Sequence, residues 1–234
     1  MTDFQFKQFS INQDKCAMKV GTDGVLLGAW VSVENVKIAL DIGCGTGLIS
    51  LMLAQRGAER IDAIDIDENA IIQAKENVDN SVFSEKIKVH HVSFQEFSKK
   101  TGQYDLIVSN PPFYSDTFLP DDKSRGIARH ISTLPFDEII KISKKMLNPN
   151  GLLALIFPFK LKSEVLNLAN INDFNIKRVC NVKPTLTKEY HRCLIELTLN
   201  TNESLEEDLL IEPEKRHQYS KEYIELTRDF YLDL

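Results

Sequence analysis

The stretch Ile38–Asp65 constrains the fold more than any other part of the chain. Ile38 to Ile42 is a short apolar run of strand length, and Gly43, Gly45 and Gly47 follow at alternate positions. Leu48 to Arg56 then reads as an apolar helix, and Arg60 to Ile66 as a second strand. Glycines let the backbone turn tightly and approach a ligand closely. A strand, a glycine loop, a helix and a second strand ending in an acid form a unit with few alternative foldings.

The alternation continues. Asp67 can cap a helix with Ile71, Ala74 and Val78 on one face. Ile87 to Val92 and Tyr104 to Ser109 read as third and fourth strands, and a polar loop runs from about Ser115 to Ser132. A helix begins near Pro135, a residue tolerated in a first turn, with Phe136, Ile139, Ile140, Ser143 and Leu147 as its apolar face. Asn148-Pro149-Asn150-Gly151 signals a turn before a fifth strand, Leu152 to Phe157. A helix around Ser163 to Ala169 and strands near Phe174 to Val182 and Arg192 to Leu199 complete the pattern. It predicts an α/β fold with a doubly wound, mostly parallel, seven-stranded sheet.

At 234 residues the chain fits one domain with extensions. Residues 37–199 hold the alternating core, 1–36 precede it and 200–234 follow it. A hydrophobic share of 43% with 26% charged residues fits a globular chain and argues against disorder. The formal net charge of −6 excludes a globally basic nucleic-acid coat but leaves room for a local basic site. Such a stretch exists at 160–192, where seven bases (Lys160, Lys162, Lys177, Arg178, Lys183, Lys188, Arg192) face three acids, a net of +4. It is either a solvated rim or a phosphate-contact surface. Segment 201–214 is the reverse, with six acids and no base. Ser220 to Leu232 reads as an amphipathic helix anchored by Tyr223, Phe230 and Tyr231.

Cys16, Cys44, Cys180 and Cys193 form no CxxC pair, and no Cys/His cluster has zinc spacing. The expectation is four reduced, mostly buried thiols and no metal. The first residues lack the basic and apolar regions of a signal peptide, and no apolar run reaches the ~18 residues of a membrane span. A cytoplasmic protein without a membrane partner is expected.

The spacing in Asp41-Ile42-Gly43-Cys44-Gly45-Thr46-Gly47 discriminates between ligands. A dinucleotide loop, G-x-G-x-x-G, would place a glycine at Leu48. This loop is G-x-G-x-G, with Asp41 two residues before its first glycine. An acid there repels a pyrophosphate and attracts the ammonium of a methionine moiety. Asp65 ends the second strand, 18 residues after Gly47, where a carboxylate can accept both ribose hydroxyls. The pattern points to S-adenosylmethionine (SAM) rather than NAD, with Ile66 beside the ribose-binding acid. Cys44 fills a small-residue slot.

Asn110-Pro111-Pro112-Phe113 follows the fourth strand, and in a doubly wound sheet ligands bind beyond the carboxyl ends of strands. A planar amine such as adenine N6 is a poor nucleophile, because its lone pair is delocalised into the ring. The Asn110 side-chain oxygen and the Pro111 carbonyl can hold its two hydrogens and aim the lone pair at a methyl sulfonium. The prolines stiffen the loop, and Phe113 offers a face for the target base. Transfer then needs in-line positioning at ~3 Å more than a strong base.

Asp41 to Gly47 together with Asn110 to Phe113 resembles the class I SAM-dependent amino-methyltransferases over roughly residues 37–199. Phe4 to Phe9, Asp14 to Trp30, Tyr219 to Tyr223 and Phe230 to Leu232 extend the resemblance to the bacterial tRNA(Val) adenine-37 N6-methyltransferase family. The resemblance implies methylation of N6 of adenosine 37 in a valine tRNA, by a monomer with no obligatory protein partner. It implies that Gly43, Gly45 and Gly47 shape the cofactor loop, that Asp41 lies near the methionine end and that Asp65 takes the ribose. Asn110, Pro111, Pro112 and Phe113 then handle the adenine. Lys19, Gly21, Thr22 and Asp23 match a segment expected to fold over the methionine end; alternatively Thr22 or Asp23 caps a helix. Arg129 and His130 either meet RNA phosphate, order a lid or lie solvated in the loop. Such enzymes often carry an Asp after the third strand; here Val92-Ser93-Phe94 stands in its place, leaving Ser93 to bond and Phe94 to pack on the cofactor adenine.

Three other functions fit parts of the pattern. N2-guanine methylation of ribosomal RNA would use the same Asn110-Pro-Pro-Phe113 grip. Glutamine N5 methylation of a release factor ranks low, since only 36 residues precede the first strand. A catalytically silent RNA-binding module is disfavoured by intact Asp41, Asp65 and Asn110. For RNA binding, Lys183 and Lys188 are the expected phosphate contacts, with the 160–192 stretch, Lys7, Lys15 and Lys19 forming one basic face.

Overall fold

A computed structural model describes residues 3–16, 19–99, 102–112, 134–201 and 203–233. Two short antiparallel strands come first, β1 (Phe4–Gln5) and β2 (Ser10–Ile11), followed by α1 (Thr22–Trp30). The alternating core then runs β3 (Ile38–Ile42), α2 (Leu48–Gln55), β4 (Arg60–Asp65), α3 (Glu68–Asp79), β5 (Ile87–His91), α4 (Phe94–Phe97) and β6 (Tyr104–Ser109). After the undescribed 113–133 come α5 (Phe136–Met146), β7 (Leu147–Pro158), α6 (Lys162–Ile171), β8 (Asn175–Thr185) and β9 (Arg192–Thr198). The chain closes with β10 (Leu205–Glu212) and α7 (Lys221–Thr227).

The main sheet has the order β10-β8-β9-β7-β6-β3-β4-β5. From β7 to β5 every pairing is parallel; β9 runs antiparallel to both β7 and β8, and β10 is parallel to β8. The sheet thus has eight strands among the described residues, against the seven expected. The additional strand is the acidic segment. Its charges do not keep it in solvent, because β8 beside it carries the complementary polar groups. Glu207 pairs with Arg178 at 2.8 Å, and Asn181 donates to both Glu206 and Asp208 at 2.8 and 3.0 Å.

Period-2 alternation assigns each strand side to a layer. Ala39, Leu106, Val108 and Ala154 face one cluster with α1, α2, α3 and α7; Leu40, Ile107, Leu153 and Leu155 face the other with α4, α5 and α6. The expected turn at Asn148 to Gly151 lies inside β7 as a register break. Tyr104 pairs with Leu147, but Leu106 already pairs with Leu152. A Cβ at Gly151 would lie 2.8 Å from the Tyr104 carbonyl oxygen, so the break requires glycine. Pro135 is the N-cap of α5 rather than a first-turn residue, and Leu147, buried like Met146, leaves the helix to start β7. All four cysteines are buried and none is in a disulfide.

Candidate active site

The carboxyl ends of β3, β4 and β6 border a cleft of about 950 Å³. The glycine loop forms one wall. Its bends are fixed by backbone bonds: Gly43 and Cys44 both donate to the Ile64 carbonyl at 2.9 and 3.0 Å, and Gly47 donates to Cys44 O at 2.8 Å. Gly43 and Gly45 have φ of +71° and +53°, a left-handed conformation that other side chains rarely adopt. Nothing lies within 4 Å of where a Cβ would stand on either, so bare backbone faces open space.

Asp65 fastens this loop to β4. Its Oδ2 accepts the Gly45 N–H at 2.9 Å, and its Oδ1 accepts the Asp67 N–H, also at 2.9 Å. A carboxylate has about four lone-pair sites, so two remain for ligand hydroxyls. Asp67 caps α3 by accepting from Asn69 N at 2.8 Å. On the opposite wall Ser109 Oγ donates to the Ile42 carbonyl at 2.9 Å. That bond locks the end of β6 to the end of β3 and brings Asn110 beside the glycine loop.

Lys19, Gly21, Thr22, Gly43, Gly45, Asp65, Ile66, Ser93, Phe94, Asn110, Pro111 and Pro112 all line this one cleft. Ser93 also caps α4, its Oγ accepting from Glu96 N at 3.2 Å, and keeps its own hydroxyl proton to donate. Phe113 and Arg129, with His130, lie outside the described residues. Thr22 and Asp23 do not cap α1: the N-cap is Gly21, without a side-chain bond. Asp23 instead accepts from Arg192 Nε at 2.7 Å, tying the start of α1 to β9 across the cleft wall.

Two expected cofactor residues stand behind the wall rather than on it. Gly47, with φ +82°, is the N-cap of α2; a Cβ there would make only ordinary contact with Ala74 Cβ at 3.5 Å, so it is the positive φ that favours glycine. Asp41 is fully buried, and its Oδ2 accepts from the Ser50 amide and hydroxyl at 3.1 and 2.7 Å. Its Oδ1 is buried without a hydrogen-bond partner among the described residues. Burial pushes the Asp41 carboxyl up to about 6, against the lowering effect of the Ser50 bonds. Burial also raises the Cys44 thiol, as do Asp41 and Asp65, which leaves Cys44 protonated and unsuited to act as a nucleophile.

Sequence reasoning missed Cys16, Val182, Pro184, His191 and Ile211 as cleft-lining residues. They come from the N-terminal segment, the β8–β9 hairpin and β10, so no local motif marks them. Burial first, and Arg192 second, hold the His191 imidazole below its usual range.

Part of the expected basic face is consumed by internal pairing. Lys162 bonds Glu206 at 2.6 Å, Arg178 pairs with Glu207 and stacks over Trp30 at 4.2 Å, and Arg192 holds Asp23. Lys15 pairs with Glu76, and Lys7 donates to the Arg228 carbonyl at 2.6 Å. Lys183 and Lys188 do not line the cleft; they sit on the β8–β9 hairpin at its edge, with Lys183 Nζ 5.4 Å from the Tyr190 ring.

The fold and the cleft define a class I methyltransferase. A family model described as the methyltransferase small domain matches residues 21–179. Similar solved structures include an Agrobacterium tumefaciens protein described as a predicted O-methyltransferase, at TM-score 0.68 and 16% identity, covering 89% of this chain and 96% of that one. Another is the ribosomal protein L11 methylase of Lactobacillus delbrueckii subsp. bulgaricus, at TM-score 0.55 and 18% identity over 79% of this chain and 82% of that one. Sequence relatives are nearer. A Flavobacterium psychrophilum protein named tRNA1(Val) (adenine(37)-N6)-methyltransferase is 45% identical over 99% of this chain and 100% of its own length. One of the same name from Trichodesmium erythraeum is 44% identical over 98% of this chain and 97% of its own. The chain belongs to the tRNA1(Val) (adenine(37)-N6)-methyltransferase family.

Proposed function

We propose that the chain methylates N6 of adenosine 37, beside the anticodon of a valine tRNA, with S-adenosylmethionine as donor. The observation that carries this reading is that Asn110-Pro111-Pro112 and the Gly43–Asp65 unit line the same cleft. The full-length identity to relatives of that name supports the choice of substrate.

The residues present fit the donor. The open backbone at Gly43 and Gly45 leaves room for it against the loop, and Asp65 has two acceptor sites left for ribose hydroxyls. Ser93 and Phe94 line the cleft where an adenine ring would bond and pack. When bound, S-adenosylmethionine supplies an electrophilic methyl on a sulfonium, whose C–S electron pair stays with sulfur as the methyl leaves.

The chain's own residues position the acceptor. Asn110 Oδ1 and the Pro111 carbonyl accept the two N6 hydrogens, which draws the amine out of conjugation. Its lone pair then points along the transfer axis. The proton shed after the N–C bond forms passes to solvent, since adenine N6 carrying a methyl group is neutral. Positioning of this kind supplies much of a barrier reduction without a strong base.

The test uses purified protein, methyl-labelled S-adenosylmethionine and RNA from cells lacking the protein, digested to nucleosides for mass spectrometry. N6-methyladenosine in the tRNA fraction, mapped to position 37, is expected. N2-methylguanosine in ribosomal RNA, or no labelled nucleoside, would overturn the reading.

A further inference from the structure

A second cavity of about 510 Å³ adjoins the cleft, sharing Thr22, Pro184 and Ile211 with it. Its other walls are aromatic. Tyr219 and Tyr223 stack with centroids 5.0 Å apart and planes at 30°, and Phe4 meets Tyr231 edge-on at 6.1 Å. Tyr223 is buried and built into the core, whereas Tyr219, Phe4 and Tyr231 are only partly buried, packed against it. Two carboxylates, Glu212 and Asp233, complete the lining, and no lysine or arginine joins them among the described residues.

From this arrangement we infer that the cavity holds the base of a nucleotide flanking the target adenosine, stacked on Tyr219 with its N–H edge toward Glu212 and Asp233. The inference rests on the tRNA reading above and extends it. Three properties select this occupant. Flat aromatic walls favour a flat ring, and base–aromatic stacking is a common grip on unpaired nucleotides. The carboxylates repel phosphate, so the backbone must pass outside while the base turns in. They accept hydrogen bonds from amino and imino hydrogens, which the Watson–Crick edge of every nucleobase presents when unpaired. Continuity through Thr22, Pro184 and Ile211 places the cavity where a neighbour of a base held at Asn110 would fall. None of these residues belongs to the glycine loop or the Asn110 motif.

The test is a cycle between protein and RNA. Turnover is measured on the unaltered tRNA and on two transcripts, each abasic at one neighbour of position 37. With the wild-type protein, one abasic transcript is expected to lose about 5- to 150-fold in kcat/KM, the size of one base–aromatic stack. In Tyr219→Leu, which keeps apolar packing but loses the flat face, the intact tRNA should drop by a similar factor and the abasic penalty should vanish. Tyr219→Phe should restore it, with SAM affinity unchanged throughout. Equal penalties in wild type and Tyr219→Leu would overturn the inference while leaving the function intact. No turnover of the unaltered tRNA would overturn the functional reading and this inference with it. A second measurement needs no variant: 5-iodouridine at each neighbouring position is photo-crosslinked to wild-type protein and the peptides are mapped. Crosslinks in the peptides carrying Phe4, Tyr219 or Tyr231 are expected; crosslinks only elsewhere would overturn the site.

Discussion

The Asp65 carboxylate accepts the backbone N–H of Gly45 at 2.9 Å. One side chain therefore fastens the glycine loop and keeps two lone-pair sites that, in the function proposed above, would accept the ribose hydroxyls. Asp65→Ala should remove both functions. Hydrogen bonds to a charged group contribute about 1.5–3 kcal/mol, so SAM affinity should fall roughly 10- to 150-fold. Asp65→Asn, which keeps an acceptor for Gly45, should lose less. Titration calorimetry decides it: an unchanged dissociation constant in Asp65→Ala would remove Asp65 from the ribose site.

Asn110 is held near that loop by the Ser109–Ile42 bond, while the bonds that shape the loop itself come from Ile64, Cys44 and Asp65. Its substitution should therefore separate chemistry from cofactor binding. Asn110→Ala is expected to lower kcat by roughly 10²–10³-fold, the cost of removing one positioned polar group at a reacting centre. SAM affinity should stay within a few-fold of wild type. If single-turnover rates persist while SAM binding fails, Asn110 belongs to the cofactor pocket instead.

Lys183 and Lys188 carry the prediction for RNA. Three other bases of their stretch, Lys162, Arg178 and Arg192, hold Glu206, Glu207 and Asp23 and serve the fold. Reversing Lys183 and Lys188 to Glu should weaken tRNA binding uniformly. It should also flatten the dependence of log affinity on log salt by roughly one unit for each phosphate that is no longer held. Filter binding at several salt concentrations reads both quantities, and an unaltered slope would place the RNA phosphates elsewhere.

The readable parts of this molecule were those where local chemistry dictates backbone. Gly43, Gly45 and Gly47 all adopt positive φ, and the apolar runs around them became strands within a residue or two of their expected ends. What escaped was set by long-range pairing. Six acids in 201–214 give no sign of a strand in sequence, because Arg178 and Asn181, which bond Glu206, Glu207 and Asp208, lie about 25 to 30 residues away in the chain. The same kind of pairing takes Lys162, Arg178 and Arg192 out of the basic stretch. Asp41 was legible as a charge near the ligand loop, but its burial behind the loop and its bonds to Ser50 depend on where α2 packs.

That burial gives Asp41 a pH signature. In an unfolded chain an aspartate titrates near ~3.9, while burial pushes folded Asp41 up to about 6. Between those values the folded protein binds the proton more tightly than the unfolded chain. The stabilising contribution of protonated Asp41 is therefore fully present below about 4 and is lost as pH rises through about 6, by up to about 3 kcal/mol. Asp41→Asn keeps an acceptor for Ser50 but cannot titrate. Urea midpoints across pH 4 to 7 should show the gap between wild type and Asp41→Asn shifting in favour of the variant as pH rises, then levelling. A gap that stays constant with pH would mean that Asp41 is ionised in both states across this range.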